Sequence, residues 1–273
     1  MTETKKQKVI AITGGATGIG RATVLKFLAE GYSVAFCDIN EPEVEKLLAL
    51  PEVVAASAQD RVFYQHVDTK ERAAIKSWVN AAIAKFDHLD AVFANAGIHR
   101  SNTMLGISDE ELQLVINTNI YGTVYTLQET VPYLIENGGG AVVINDSDQF
   151  YIGKGNSFAY GLTKGALGQI TRSLAIDLGP KNVRVNAVCP ATIHTPLAEG
   201  AMGRYAQRAG LTLEQAWAEE DTLYPLGRSG EPEEVAAMVF FLVDQGTFCT
   251  GGHYLVDGGL VAHSKCCLLH KER

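Results

Sequence analysis

A short β-branched run, Val9 to Thr13, breaks into Thr13-Gly14-Gly15-Ala16-Thr17-Gly18-Ile19-Gly20. It passes at once into an apolar-periodic stretch, Ala22, Val24, Leu25, Phe27 and Leu28. Strand, glycine-rich turn and helix in that order form a phosphate cradle: glycines let the backbone approach a pyrophosphate, and a helix N-terminus offers free N–H groups and a favourable dipole. The spacing is Gly-x-x-x-Gly-x-Gly, not the general dinucleotide pattern Gly-x-Gly-x-x-Gly, so the turn alone reads equally well as a tight connection. The next strand decides between the two. Ser33 to Cys37 ends in Asp38, eighteen residues past Gly20. A carboxylate there accepts hydrogen bonds from an adenosine ribose diol and repels a 2′-phosphate. Neither Cys37 nor Ile39 is basic, and no Lys or Arg lies inside the turn. The expected cofactor is NAD, not NADP.

The alternation continues. Val62 to Val67 reads as a strand followed by Asp68, Ala73 to Phe86 as an amphipathic helix, and Ala91 to Ala94 as a strand leading into Asn95-Ala96-Gly97. Further strands are expected at Ala141 to Asn145, Asn182 to Val188 and Gly252 to Val256. Repeated strand–helix units imply an α/β fold, a parallel sheet covered on both faces with ligands at the carboxyl ends of its strands. Asp68, Asn95 and Gly97 all sit at such ends, and Asn95 serves equally well as a structural tie between neighbouring strands. Ser108 and Glu111 form a capping-box pattern that opens a long helix running through Asn117 and Asn119 to Leu134. Asparagines inside an apolar helix are locally unfavourable, and a buried one needs its amide bonded, which gives one of them a functional reason to be there.

The stretch Asp146 to Leu178 carries the chemistry. Tyr160 and Lys164 stand four apart at the start of a helical pattern, so they project from one face. An ammonium favours the phenolate by charge attraction, yet bringing a tyrosine from about 10 to near neutrality takes on the order of 4 kcal/mol. A second positive charge is wanted, and an oxidised nicotinamide ring provides one. Ser147 ends the strand-like run before it, from where a hydroxyl reaches the same point. A Tyr-x-x-x-Lys spacing arises by accident on many helices; the nicotinamide site read above gives it meaning. Leu197 to Arg228 is a long segment with two weak helical stretches, suited to a lid over a substrate.

No linker or internal repeat divides the 273 residues, so residues 1–262 are expected to form one domain that includes a lid at 196–228, with a tail at 263–273. A formal charge of −8 without a basic run argues against nucleic acid. No apolar run approaches a membrane span of roughly 18 residues. The five cysteines are odd in number and scattered apart from Cys266-Cys267, without metal-ligand spacing, which suggests reduced thiols in a cytoplasm and no metal.

Together these stretches resemble the short-chain dehydrogenase/reductase family in its short single-domain form. The matching residues are Thr13-Gly14-x-x-x-Gly18-x-Gly20, Asn95-Ala96-Gly97, Asn119, Ser147, Tyr160-x-x-x-Lys164, Pro190, Thr195 and Val256-Asp257-Gly258-Gly259. The resemblance implies a Rossmann-type doubly wound sheet of about seven strands and an enzyme interconverting a secondary alcohol and a ketone. Tyr160 is then the acid/base, Lys164 depresses its pKa and holds the nicotinamide ribose, and Ser147 bonds the substrate oxygen. Asn119 keeps a water for a proton relay, Pro190, Ile193 and Thr195 cover the nicotinamide, and Asp38 and Asp68 meet the ribose and adenine. Gly14, Thr17, Gly18, Ile19 and Gly20 form the cofactor turn. A homotetramer is also implied.

Two residues depart from that pattern: Ala191 stands where a glycine is usual after Pro190, and Asp146 replaces a small residue before Ser147. Strand alternation aims Asp146 and Asp148 away from Ser147 at first, and Asp148 can turn back once the strand ends. By family position His99, Asp148, Gln149 and His194 line the substrate pocket, a set that suits a small-molecule sugar, polyol or sugar acid. Alternatives are a 3-oxoacyl carrier-protein reductase, which Asp38 disfavours, and a catalytically silent NAD-binding module, which would be free to lose Asn119, Ser147, Tyr160 and Lys164.

Overall fold

The computed structural model describes residues 7–262. Its centre is a seven-stranded parallel sheet: β1 (Val9–Thr13), β2 (Ser33–Asp38), β3 (Val62–His66), β4 (Ala91–Ala94), β5 (Gly140–Asn145), β6 (Val183–Pro190) and β7 (His253–Val256), in the order β3-β2-β1-β4-β5-β6-β7. Strand residues alternate between two apolar layers, as a pleat requires. Ile10, Ile12, Val34 and Phe36 pack on one side with Val24 and Phe27 of α1 (Gly18–Ala29), Leu47 of α2 (Glu41–Leu48), Val53 of α3 (Pro51–Ser57) and, from the last described helix, Val235 and Val239. Val9, Ala11, Val92 and Ile144 pack on the other with Ile75 and Trp78 of α4 (Arg72–Phe86) and with Leu127, Leu134 and Leu167 from two further helices. Burial on both faces explains why the strands read as continuous apolar runs.

The long helix expected from Ser108 to Leu134 is continuous but not uniform. α5 (Asp109–Ile116) is capped by the Ser108 hydroxyl, which accepts from the Glu111 N–H. The helix widens into a π-type turn at Asn117–Tyr121 and continues as α6 (Gly122–Glu136). Then come α7 (Phe158–Leu178), α8 (Pro196–Ala209), α9 (Leu213–Asp221) and α10 (Pro232–Phe240). The chain leaves β1 toward β2 and β3 and returns to place β4 on β1's other side. That reversal opens a crevice at the carboxyl ends of β1 and β4, where α/β sheets bind ligands.

Candidate active site

A cavity of about 980 Å³ occupies that crevice and extends under α8 and α9. Its first half is built by the turn between β1 and α1. The Gly14 and Gly15 N–H groups donate to the Cys37 carbonyl at 2.9 and 3.1 Å, locking the turn against β2. A Cβ on Gly20 would lie 1.8 Å from the Gly14 carbonyl oxygen. Gly18 takes φ +51°, and a Cβ there would meet Thr195 at 2.8 Å. Thr17 precedes α1 without capping it, and no acidic residue stands in its first turn, so the helix N-terminus presents unsatisfied N–H groups beside the cavity lined by Thr17, Gly18, Ile19 and Gly20. Asp38 accepts from the Ala16 N–H through one oxygen and the Asn40 N–H through the other, both at 2.9 Å, which ties strand end to turn and leaves lone pairs spare. Asp68 lies on the same wall, its carboxylate bonded to the Lys70 N–H at 3.0 Å. An uncapped helix end for phosphates and two strand-end carboxylates for hydroxyl and amino donors fit a dinucleotide.

Asn95 is a structural tie that also lines the cavity. Its amide donates to the Thr13 and Gly14 carbonyls at 3.0 Å each and accepts from Asn145 at 2.8 Å, binding three strand ends together. Gly97 lines the wall next to it. Asn119 is 1% exposed, and its amide is fully used. It accepts from the Ile98 N–H at 2.8 Å and donates to the Ile98 carbonyl and the Thr163 hydroxyl at 3.0 and 3.1 Å. The buried asparagine thus pairs like a strand neighbour with the segment after β4, from within the π-type turn.

In the second half, Ser147, Tyr160 and Lys164 converge from the end of β5 and the first turns of α7. The Lys164 ammonium donates to the Asn145 carbonyl at 2.7 Å and lies 5.2 Å from the Tyr160 ring centre. Burial lowers the Lys164 pKa and raises that of the Tyr160 hydroxyl, with the carboxylates of Asp148 and Asp146 raising the latter further and Ser147 only partly offsetting them. Asp146 is 2% exposed, and burial pushes its carboxyl up to about 7, against the pull of Lys164 and the Ser147 N–H. The strand's end does turn Asp148 inward. Ser147 Oγ donates to Asp148 Oδ1 at 2.7 Å and accepts from the Gln149 N–H at 3.2 Å.

His99 stacks edge-on to Tyr160 at 5.0 Å, and burial, with the charges of Arg204, Lys154, Arg100 and Arg208, lowers its pKa to about 4, so the ring is neutral. Gln149 lines the wall with a buried, unpartnered side-chain oxygen. His194 is a correction: it is absent from the cavity lining. Its N–H bonds the Gly230 carbonyl at 2.9 Å and its ring packs on Trp217 at 4.2 Å, while Ile193 and Thr195 on either side of it line the cavity. Thr195 caps α8, accepting from the Ala198 N–H at 3.2 Å. Pro190 and Ala191 line the cavity floor, and Ala191 sits outside the left-handed region with its N–H on the Val256 carbonyl, so it needs no glycine.

Sequence reasoning missed Glu220 and Lys154. Glu220 on α9 is 8% exposed, accepts from the Thr192 and Tyr224 hydroxyls at 2.5 and 2.9 Å, and pairs with Lys154 at 3.3 Å. The cluster pins α9 to the sheet ends. Its only sequence trace is an acidic run, Glu219-Glu220-Asp221, indistinguishable from a solvated face. Among the described residues no group of three His, Cys, Asp or Glu is placed to hold a metal ion, and no helix is long and apolar enough to cross a membrane.

Fold and cavity together define an oxidoreductase of Rossmann type that uses a nicotinamide dinucleotide. Comparison with known proteins agrees. A family model described as enoyl-(acyl carrier protein) reductase matches residues 14–261. The chain is 33% identical over 255 residues to 3-oxoacyl-[acyl-carrier-protein] reductase FabG of Thermotoga maritima, covering 93% of this chain and 98% of that one. It is 34% identical over 253 residues to the L-fucose dehydrogenase of Mus musculus, covering 92% and 88%. The structure of Thermoplasma acidophilum aldohexose dehydrogenase superposes with a TM-score of 0.84 at 30% identity, covering 95% of this chain and 96% of that one. The protein belongs to the short-chain dehydrogenase/reductase family.

Proposed function

We propose that this protein interconverts a secondary alcohol and a ketone with NAD, on a small polyhydroxylated substrate of the sugar, polyol or sugar-acid type. The convergence of Ser147, Tyr160 and Lys164 on one end of a dinucleotide-sized cavity carries the reading. Bound there, NAD would supply a hydride acceptor for the carbinol carbon and a positively charged ring. Tyr160 takes the hydroxyl proton. Lys164, anchored on the Asn145 carbonyl, holds the nicotinamide ribose and offsets the charge left on Tyr160. Ser147 orients the reacting oxygen, and Asn119 positions the start of a proton path by fixing the segment at Ile98. The Gly14–Gly20 turn holds the pyrophosphate, Asp38 the adenosine ribose, Asp68 the adenine, and Pro190, Ile193 and Thr195 the nicotinamide end. The polar wall of His99, Asp148 and Gln149 supports a hydroxylated substrate, and residues 196–228 act as its lid within one domain of residues 1–262.

A cytoplasmic homotetramer completes the reading. Tyr121, and Phe158, Leu162 and Ile176 on α7, leave apolar surface in solvent that the same helices of a second copy would cover. Similarity to FabG favours reduction of a carrier-bound 3-oxoacyl group as a second reading. Asp38 and the polar wall weigh against it.

Coenzyme choice tests the Asp38 assignment. Asp38→Asn keeps an acceptor for the Ala16 N–H but removes the charge facing the ribose. The NAD-over-NADP ratio of kcat/KM should fall by a factor on the order of 10 to 100, the worth of about 1.5–3 kcal/mol for hydrogen bonds to a charged group. An unchanged ratio removes Asp38 from coenzyme selection.

A further inference from the structure

The Ser147–Asp148 contact bears on which alcohols the site can turn over, provided the reading above holds. A hydroxyl has one proton to give and two lone pairs to receive with. Ser147 spends the proton on Asp148 Oδ1 at 2.7 Å and one lone pair on the Gln149 N–H. One lone pair remains, shared with the neighbouring Tyr160 hydroxyl; it can receive an O–H and is of no use to a carbonyl oxygen. Asp148 is 6% exposed, takes no other side-chain hydrogen bond, and lines the cavity. Lys154 on that wall makes its ion pair with Glu220 at 3.3 Å and acts on Asp148 through its charge, without a hydrogen bond to it. Asp148 is thus a buried carboxylate bonded only by its chain neighbours, the Ser147 hydroxyl and the Gln149 N–H, with lone pairs left to accept from a ligand, one residue from the group expected to touch the reacting oxygen.

We infer that Asp148 is a specificity-determining residue that requires a hydroxyl on the carbon next to the reacting one, so that the substrates are vicinal diols and α-hydroxy ketones. The neighbouring hydroxyl donates to Asp148 and replaces the Ser147 proton there. Ser147 is then free to turn its proton toward the reacting oxygen as charge builds on it. A simple secondary alcohol leaves Asp148 holding the Ser147 proton and buries the carboxylate against an apolar substrate. Both consequences act against it, in kcat as well as in KM.

The test compares matched pairs: vicinal cyclohexanediol against cyclohexanol, vicinal butanediol against secondary butanol, and an aldose against its analogue deoxygenated at the carbon next to the reacting one. Sites built to bond a substrate hydroxyl reject analogues lacking it strongly, so the wild-type ratio of kcat/KM should be at least about a thousandfold in favour of the diol member. In Asp148→Ala that ratio should collapse to within about tenfold of unity, by gain on the simple alcohol as well as loss on the diol. Asp148→Asn keeps size and one acceptor without charge and should give an intermediate ratio, which covers the case in which the alanine variant fails to fold. A wild-type ratio near unity, or one that survives intact in both variants, overturns the inference and leaves the oxidoreductase reading in place. Turnover of neither member of any pair, with NAD or NADP, removes that underlying reading instead.

Discussion

Tyr160→Phe should lower kcat by about three orders of magnitude while NAD affinity changes less than a few fold, within the range expected when a general acid/base is removed. The substitution deletes a single oxygen. The ring keeps its edge contact with His99 at 5.0 Å and its place beside Lys164, so fold and cofactor turn have no reason to move. The expected defect therefore separates proton transfer from binding. Equilibrium binding by quenching of protein fluorescence, set beside steady-state rates, checks both halves. The pH profile of the wild type follows from the same group. Burial and the carboxylates of Asp148 and Asp146 raise the Tyr160 hydroxyl above its ordinary value, so the deprotonated form needed to accept a proton is scarce at neutrality. Alcohol oxidation should accelerate as pH rises from neutrality, and ketone reduction, which uses the protonated form, should not. Turnover retained in the phenylalanine variant would take Tyr160 out of the mechanism.

Gly20→Ala should abolish measurable cofactor binding and lower Tm by roughly 10 °C, taking a cost of at least about 3 kcal/mol and the usual conversion for a chain of this size. The new methyl would sit 1.8 Å from the Gly14 carbonyl oxygen and 2.7 Å from the Asn95 side-chain nitrogen. Backbone on one side and a fully bonded amide on the other leave it nowhere to go, since Asn95 also holds Thr13, Gly14 and Asn145. The turn must open, and with it the set of N–H groups at the start of α1. Thermal denaturation with and without NAD measures this. A variant whose Tm still rises on adding NAD, as the wild type's should, would show that the turn tolerates the methyl and that the cradle lies elsewhere.

The sheet was legible because both its faces are buried. The central strands β1, β2, β4 and β5 read as β-branched and apolar runs ended by Gly, Asp or Asn, and each of the seven strands lies within a residue or two of its expected place. α2 and α3 left no comparable trace: they are short, begin Glu-Pro-Glu and Pro-Glu, and bury few residues each. The π-type turn at Asn117–Tyr121 is invisible to any 3.6-residue pattern, although the two asparagines marked the place as unusual. Asn95 and Asn119 were open between structural and functional roles, since only the fold shows that their amides close on backbone three-dimensionally near but far away in sequence. His194 and Glu220 show the harder limit. The irregular segment after β6 packs the His194 ring on Trp217, and a lid helix carries one carboxylate of an acidic run inward to Thr192 and Tyr224. Neither choice is made by local sequence. The expectations for Cys266, Cys267 and the rest of 263–273 fall outside the described residues.

Hydride transfer is the chemistry on which the roles of Ser147, Tyr160 and Lys164 depend. The most direct measurement is the rise of reduced-nicotinamide absorbance when the wild-type protein is mixed with NAD and, one at a time, sugars, polyols, sugar acids and simple secondary alcohols, with NADP run in parallel. The predicted result is turnover with NAD on polyhydroxylated members of the panel, far less on simple secondary alcohols, and far less with NADP. Absence of turnover across the panel with either coenzyme, in a protein whose Tm rises on binding NAD, would contradict it and leave a nucleotide-binding fold whose Ser147, Tyr160 and Lys164 serve no redox chemistry.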